Sequence, residues 1–339
     1  MKKLHVLFIV LAACTLYACK QELIEVDPDI YIMGSQKDTS DNYQWFFWKN
    51  FEPMPINTQY PPYGISFVTI DGDDIYGYSC MGDKDAPSDL RKCHVTIWKN
   101  WQPIYSVQTT PPEAYTAPLA IRNGNIYFVG MTADSIPALF VNGQPMPQSM
   151  RGLGFPNGLG ASCAALGEDV YLHGVIGNIN EGYAHCNLHV LWKNGKPVAT
   201  HHNFSLGIIA SEHYLYSCGL ENGDFVIYKN DEKICTTIEG QKEYRGICLD
   251  GDDIYLMIAQ ITPPSTGITR IYKNGLLMNN LPETTFPMYS CIAAANGSVY
   301  YVAYRKGKCI LMKDGHPIYY LPDDMYIKWM LVKRKFVYK

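Results

Sequence analysis

Basic residues are too few in this chain to suit a protein that binds nucleic acid. Of 339 residues, 28 are Lys or Arg and 32 are Asp or Glu, and all charged residues together make up 18%. Proteins that bind nucleic acid or anionic membranes through surface charge carry clustered basic residues. The composition therefore excludes nucleic acid from the predicted partners.

Long apolar runs and catalytic motifs are also missing. After its first 19 residues, the sequence has no hydrophobic run of the roughly 20 residues that a membrane-spanning helix needs, and no helical periodicity of apolar residues. It has no glycine-rich phosphate loop, nucleophile elbow or His-Glu-x-x-His motif. We therefore predict no catalytic residue, no cofactor and no metal, and an enzyme is the less favoured interpretation.

The chain start predicts export and lipidation. Lys2 and Lys3 precede the apolar stretch Leu4 to Leu16, as in a signal peptide. The segment Leu16-Tyr17-Ala18-Cys19 resembles the lipobox of bacterial lipoproteins, whose cysteine carries the lipid. Cys14 also ends a lipobox-like segment, but it would leave an apolar region of only about seven residues. An ordinary signal peptide is the alternative.

These features predict three segments. They are a signal peptide over residues 1–18, lipidated Cys19 with a short tether to residue 28, and a folded domain over 29–339. The predicted location is the bacterial cell envelope, with the domain anchored to the outer membrane as a monomer. Removal of Lys2 and Lys3 from the 28 basic residues leaves 26 against 32 acidic ones, a net charge of −6.

Nine of the 11 cysteines follow Cys19, an odd number without paired spacing. Cys80 with Cys93, and Cys163 with Cys186, are conceivable disulfides, but sequence cannot establish a pairing. Several of these cysteines lie in apolar runs, where a thiol behaves as a small hydrophobe. Buried thiols are the favoured interpretation.

Two short motifs alternate along the chain, seven times each, with a period near 44 residues. The first contains Ile-Tyr or Val-Tyr after a turn, and its tyrosines are Tyr31, Tyr76, Tyr127, Tyr171, Tyr216, Tyr255 and Tyr300. The second is an apolar pair followed by Lys-Asn-Gly or a variant, as in Leu191-Trp192-Lys193-Asn194-Gly195. A period of 20–50 residues indicates a solenoid, a propeller or an array.

Each repeat contains four short strand-like runs, named strands A to D, bounded by Gly, Asn, Asp and Pro. Four strands in about 44 residues are typical of a propeller blade. Asn-Gly and Asp-Gly pairs predict tight type I′ turns between A and B and between C and D, whereas the B–C and D–A loops are longer. One face of the ring should carry tight turns and the other the irregular loops.

The two ends of the domain should complete one blade. The first repeat begins at strand B, Asp29 to Gly34, and lacks a strand A, while Tyr326 to Val332 resembles one. We therefore predict an all-β, seven-bladed β-propeller with four-stranded antiparallel blades, closed by a C-terminal strand A that joins the N-terminal blade. An eighth blade beginning at Phe336 to Tyr338 is the alternative.

The repeated Ile-Tyr-x-x-Gly and Trp-Lys-Asn-Gly pattern resembles repeat lipoproteins of the Bacteroidota, over residues 29 to 339. That resemblance implies a β-propeller on a surface lipoprotein and no particular reaction. Phe51, Trp101 and Asp231 replace the glycine of the second motif. Those turns are expected to be of another type or to contain an insertion.

An aromatic residue recurs 11 to 13 residues before five of the strand B tyrosines, near the start of strand A, and Tyr326 takes the same place in the closing strand. If strand A lines the channel, these side chains would ring its mouth and could stack against a sugar or an extended peptide. Packing between blades is the competing interpretation. The candidate ligand-binding residues are Tyr63, Tyr115, Phe204, Tyr244, Tyr289 and Tyr326, and Leu159 interrupts the series.

Histidines and paired acids suggest weaker sites. His185, Cys186 and His189 resemble a zinc set, but strand alternation separates Cys186 from the two histidines. Glycosidases need two converging carboxylates. Asp73-Asp74 and Asp252-Asp253 are expected in tight turns on the opposite face, whereas Asp323-Asp324 belongs to a loop-face connection and stays a candidate pair.

Three functions remain open. The favoured one is a non-enzymatic propeller that binds a glycan, a peptide or an envelope protein through its loop face. A polysaccharide-active enzyme would need carboxylates, or His with Tyr or Arg, at the channel mouth. A scaffold subunit would need an exposed apolar patch on the rim.

Overall fold

A computed structural model provides the structure of the chain. It describes residues 23–37, 43–55, 65–82, 93–109, 119–131, 137–146, 162–176, 188–201, 204–221, 224–236, 242–262, 266–281, 286–305, 308–322 and 325–338. These residues form 28 strands in seven four-stranded sheets. The described part contains no helix long and apolar enough to cross a membrane.

Each sheet is one blade, with its strands in the order A to D. Blade 1 consists of β28 (Met325–Tyr338), β1 (Leu23–Lys37), β2 (Tyr43–Lys49) and β3 (Glu52–Pro53). Blade 2 consists of β4 (Ile65–Asp71), β5 (Asp74–Gly82), β6 (Cys93–Lys99) and β7 (Gln102–Thr109). Blade 3 consists of β8 (Leu119–Arg122), β9 (Asn125–Met131), β10 (Pro137–Val141) and β11 (Gln144–Pro145). Blade 4 consists of β12 (Ser162–Leu166), β13 (Asp169–Ile176), β14 (Leu188–Lys193) and β15 (Lys196–His201).

The remaining blades follow the same order. Blade 5 consists of β16 (Phe204–Ala210), β17 (Leu215–Glu221), β18 (Asp224–Lys229) and β19 (Glu232–Thr236). Blade 6 consists of β20 (Lys242–Asp250), β21 (Asp253–Thr262), β22 (Thr266–Lys273) and β23 (Leu276–Leu281). Blade 7 consists of β24 (Phe286–Ala295), β25 (Ser298–Arg305), β26 (Lys308–Lys313) and β27 (His316–Tyr320).

The ring closes as predicted. Strand β28 pairs antiparallel with β1, with Ile30 opposite Val332 and Ser35 opposite Tyr326. This pairing joins the two ends of the chain and confirms the seven-bladed propeller. The eighth blade is wrong, because Phe336 and the residues after it pair with the beginning of β1 instead of starting a new sheet.

The strands of each blade are neighbours in sequence order, so A–B and C–D connections share one end of the ring. We call that end the tight-turn face and the opposite end the loop face. Strand A is innermost, since β24 packs against both β20 and β28, and β12 against both β8 and β16. The loops of the loop face lie almost entirely outside the described residues.

Apolar side chains fill the seams between neighbouring blades. Between blades 2 and 3, for example, the buried residues Tyr78 and Ile97 belong to the same cluster as Phe128 and Phe140. The two phenylalanine rings stack with centroids 5.1 Å apart. Because each sheet has one such face on each side, no blade can bury its apolar surface alone.

One asparagine side chain in each of blades 1 to 6 joins the end of strand C to the start of strand B. Its Oδ1 accepts a strand B backbone N–H at 2.8–3.0 Å, and its own backbone N–H donates to the carbonyl of that strand B residue at 2.8–2.9 Å. Asp314 makes the same two bonds in blade 7. The asparagines are Asn50, Asn100, Asn142, Asn194, Asn230 and Asn274.

The lysine and tyrosine of the two motifs meet at the same place. In four blades, the aspartate directly before the strand B residue that bonds to the asparagine accepts the asparagine Nδ2 at 2.7–2.8 Å and pairs with the lysine Nζ at 2.7–2.8 Å. The lysine also lies 5.4–5.8 Å from the centroid of the strand B tyrosine. These pairs are Asp29–Lys49, Asp74–Lys99, Asp169–Lys193 and Asp253–Lys273.

The tight turns are partly as predicted. Both central residues have positive φ in the turns centred on Asn142-Gly143, Asn194-Gly195 and Asn296-Gly297, as a type I′ turn requires. The prediction is wrong for Asp71-Gly72 and Asp250-Gly251. Asp71 pairs with Asp74, and Asp250 with Asp253, so each glycine is the first central residue. Only that glycine has positive φ, as in type II′ turns.

The three turns that lack glycine were also predicted incorrectly. Phe51, Trp101 and Asp231 have φ of 69°, 67° and 68°, so these turns keep the two-residue form without an insertion. Packing accounts for two of them: the Phe51 ring stacks on Tyr319 of blade 7 at 4.0 Å, and the Trp101 ring lies 4.3 Å from Phe47. Asp231 is exposed and has no such contact among the described rings.

The asparagine bridge predicts a specific loss of stability. The Asn142 side chain accepts from the Ile126 backbone N–H and donates to Asn125 Oδ1. Asn142→Gly keeps a residue that tolerates positive φ but removes both bonds, so we expect the free energy of unfolding to fall by about 1–3 kcal/mol. Asn142→Asp keeps the acceptor, as Asp314 does naturally, and should lose less than half as much. Urea unfolding followed by tryptophan fluorescence measures both, and equal losses would argue against the bridge.

The turns without glycine predict effects of opposite sign. Asp231→Gly relieves a left-handed backbone without losing packing, so we expect stabilisation of about 1 kcal/mol. Phe51→Gly relieves the same backbone but loses the ring stacked on Tyr319, so a net destabilisation is expected. Thermal unfolding of the two variants provides the measurement. A stabilised Phe51→Gly would show that the stacking is too weak to compensate for the strain.

The ion pairs predict acid sensitivity. Burial raises the pKa of Asp29, but hydrogen bonds from Lys49 and Asn50 outweigh this and bring the pKa below its usual value; Lys99 lowers the pKa of Asp74 directly. A carboxyl with a lowered folded-state pKa stabilises the fold above about pH 4, and this is lost as pH falls through the folded pKa.

We therefore expect the urea midpoint to fall between about pH 5 and pH 3, and to fall less in Asp29→Asn. Asp74→Asn is the matched control, because the Asp74 side chain is 36% exposed, the Asp29 side chain only 11%, and solvent screens the more exposed pair. A pH dependence that is unchanged in Asp29→Asn would contradict this assignment.

Candidate functional site

The six candidate aromatics differ in how far the structure describes them. Tyr63 and Tyr115 lie outside the described residues, as does Cys19. Phe204 and Tyr244 lie on inner strands β16 and β20, and Tyr289 lies on β24. Tyr326, on the closing strand β28, is half exposed. As a ligand-binding set, the six residues remain a prediction.

Strand register shows that these aromatics do not share one position. Tyr326 pairs with Ser35, four residues after Tyr31, and Phe204 pairs with Leu220, four residues after Tyr216. Tyr244 pairs with Ile258, only three residues after Tyr255. The predicted regular series of aromatics is therefore not one ring of equivalent positions.

Single-residue β-bulges interrupt the inner strands of four blades at one level. In blades 1, 2, 5 and 6, strand A has one extra residue that has no partner on strand B. It lies between the partners of the second and the third residue after the strand B tyrosine. In blade 7, residues 288–291 form a larger irregularity at the same level. A bulge re-aims side chains and is enriched beside functional sites. The single extra residues, which we call the inner bulges, are Lys328, Ser66, Leu206 and Arg245.

Sequence reasoning missed these bulges, and the spacing of the aromatics contained no signal for them. Phe204 lies 12 residues before Tyr216 and Tyr244 lies 11 residues before Tyr255, although both blades have one extra residue at the same level. The two spacings differ because Phe204 lies two residues before its bulge and Tyr244 only one.

Two inner bulges bring positive charge to the loop-face half of the inner strands. Lys328 is exposed, and its Nζ lies 5.2 Å from the centroid of the Tyr326 ring. Arg245, at the same level on blade 6, is half-buried. Blade 7, with its irregular strand A, stands between them. Among the described residues, this combination of an exposed aromatic ring and cations is found on one side of the ring, and such asymmetry is expected of a binding site.

Close packing supports Tyr326 from behind. A Cβ added to Gly34 would lie 2.3 Å from the Tyr326 backbone oxygen and 3.0 Å from the Ile327 Cα. Glycine is therefore required at position 34 for β28 to approach β1. Trp329, just after the Lys328 bulge, packs edge-on against Phe67 of blade 2, with ring centroids 5.3 Å apart. The site is thus held by the ring closure and by a seam between blades.

A second polar cluster lies on the tight-turn face, in blade 5. His213 Nδ1 is 2.9 Å from Asp252 Oδ2, while Ser211 Oγ accepts the backbone N–H groups of His213 and Tyr214 at 3.2 and 2.9 Å. A catalytic triad instead needs the second histidine nitrogen to face the serine hydroxyl. These contacts shape a four-residue turn. Tyr214 takes the position of the aspartate found in four other blades, and Lys229 Nζ lies 3.5 Å from the centroid of its ring.

Five described thiols are buried or half-buried and form no disulfide. Burial raises the pKa of Cys163, Cys248 and Cys291, which keeps them protonated, as expected for buried thiols. Cys163 donates to the Tyr127 carbonyl instead of forming a disulfide. No group of three His, Cys, Asp or Glu side chains in the described ranges could hold a metal. Of the weaker candidates, His185, Cys186, Asp323 and Asp324 lie outside those ranges.

Comparison with known proteins supports the fold and no more. No protein-family model matches the chain, and no curated protein matches it. A puromycin-hydrolysing peptidase of Mycobacterium tuberculosis aligns with a TM-score of 0.51 and 10% identity, over 90% of this chain and 53% of its own. A prolyl endopeptidase gives a TM-score of 0.51 and 10% identity, over 89% and 49%.

The chain spans about half the length of those two proteins. The β-propeller domain of the Trilobed protease from Pyrococcus furiosus aligns over 78% of this chain and 82% of its own, with 12% identity and a TM-score of 0.46. At such low identities, the likeness to the first two structures shows a shared propeller architecture, and it assigns no activity to this chain.

Proposed function

We propose that this protein is a non-enzymatic binding propeller, lipid-anchored in the bacterial cell envelope, that recognises an acidic glycan through its loop face. The supporting observation is the exposed Tyr326 ring with Lys328 beside it and Arg245 at the matching bulge of blade 6. A tyrosine ring stacks on the apolar face of a sugar, and cations pair with its carboxylates.

The enzymatic alternative is not favoured by the described positions. A glycosidase needs two carboxylates that converge across the scissile bond. The inner bulges instead contribute Lys328, Ser66, Leu206 and Arg245 to the strands around the channel. Of these, Lys328 and Arg245 suit binding of a negatively charged group, and none is a carboxylate.

A scaffold role is the second candidate, because the rim carries an apolar patch. Leu276, Leu277 and Met278 lie on the outer strand β23 of blade 6 and are 76%, 49% and 37% exposed. Exposed apolar residues in a group mark protein-binding surfaces. An envelope protein could therefore dock at blade 6 while the loop face remains open.

Glycan-array binding of the mature chain carrying Cys19→Ser tests the main proposal. We expect acidic glycans to bind, more weakly at high salt because ions screen exposed charges. Tyr326→Ala and Lys328→Ala should each weaken binding about tenfold, the effect of about 1.4 kcal/mol. Matched controls are Tyr320→Ala and Lys196→Ala, which remove an exposed tyrosine and an exposed lysine from outer strands.

Unchanged binding by both Tyr326→Ala and Lys328→Ala would exclude this site. If instead no glycan binds, and an envelope protein is captured by the wild type and lost with Leu276→Asp, the scaffold role is supported and the glycan-binding role is wrong.

A further inference from the structure

The ring-closing blade extends beyond the tight-turn face as a two-stranded ribbon. Strand β1 begins at Leu23, within the predicted tether, and its first residues pair with the last residues of β28. In the strand register, Leu23 pairs with Tyr338 and Ile24 pairs with Val337. In the other blades strand B begins directly after its turn, at the level of Asp29. We call residues 23–28 and 333–338 the terminal ribbon.

Contacts with three other blades hold the terminal ribbon in place. Arg334 Nε donates to Asp250 Oδ1 of blade 6 at 2.8 Å, and Asn296 Nδ2 of blade 7 donates to the backbone oxygen of Val26 at 3.4 Å. The Asp250 side chain is 3% exposed. Lys333 Nζ pairs with Asp73 of blade 2 at 2.5 Å. The ribbon is therefore a defined part of the propeller surface.

The end of the terminal ribbon exposes apolar side chains. Phe336 is 48% exposed and Val337 is 40% exposed. They follow Lys335, whose side chain is 49% exposed. An aromatic and an aliphatic side chain next to a cation are the combination found where proteins meet the headgroup region of a bilayer.

The length of chain before the ribbon limits what can lie next to it. Cys19 is four residues before Leu23, and four extended residues span at most about 14 Å. If Cys19 carries the lipid, the bilayer surface must lie within that distance of the ribbon. A protein partner would have to fit into the same narrow space.

We propose that the terminal ribbon rests on the membrane surface, with Phe336 and Val337 in the headgroup region. The tight-turn face then faces the bilayer, and the loop face, with Tyr326 and Lys328, points away from it. This orientation rests on the proposed lipid anchor and adds a second contact to it. The occupant of the ribbon surface is lipid, not a second copy of the chain.

Site-directed fluorescence on the lipidated protein tests the proposal. An environment-sensitive dye is attached to a cysteine introduced by Val337→Cys, and the protein is reconstituted into phosphatidylethanolamine–phosphatidylglycerol vesicles containing spin-labelled lipid. The matched control is Tyr304→Cys, a 48% exposed position at the loop-face end of β25. Labelling of the unmodified chain is subtracted as background.

We expect a blue shift and strong lipid quenching at position 337, and neither at position 304. Equal quenching at both positions, or quenching at 304 alone, would overturn the orientation. A blue shift at 337 that needs no vesicles and grows with protein concentration would indicate a second copy, and would also overturn it.

Failure of the lipid anchor is detected separately. Palmitate should be incorporated into the wild-type chain and not into Cys19→Ser. Incorporation together with an unquenched label at position 337 refutes the ribbon proposal while the anchor stands. Absence of incorporation refutes the anchor, and with it the orientation.

Discussion

The hydrogen bonds of a repeated asparagine hold the blade architecture together. A residue in left-handed backbone conformation ends strand C, and its side chain replaces a missing ladder bond at the start of strand B. Leaving a strand N–H without this partner costs more than the bond contributes on average. Lysine, aspartate and tyrosine gather around the same point, so both sequence motifs describe one structural unit. The contacts of both motifs therefore stabilise the fold and assign no reaction.

Three departures from that unit are informative because each has a local compensation. Tyr214 stands where four other blades have aspartate, and Lys229 packs on its ring instead of forming an ion pair. Phe51 and Trp101 occupy a glycine position but gain ring contacts with a neighbouring blade. The repeat thus tolerates variation where a new contact restores what the consensus residue supplied.

The two faces of the ring differ in what they can do. The tight-turn face is occupied by its own bridges and by the terminal ribbon, whereas the loop-face half carries bulges that interrupt the inner strands. Lys328 and Arg245 break the sevenfold similarity there. A binding surface needs such asymmetry, and the proposed orientation would present it away from the membrane.

The sequence by itself determined the seven blades, the closure by Tyr326 to Val332, and the type I′ turns of the Asn-Gly pairs, because these depend on local residue chemistry and on a repeating period. Only the tertiary structure decided the inner bulges, the common form of the turns at Phe51, Trp101 and Asp231, and the clamp between Asp250 and Arg334. The last pair is 84 residues apart in the chain. Such contacts depend on which blades become neighbours and on small shifts of strand register. The repeat period shows neither which blades become neighbours nor where the strand register shifts.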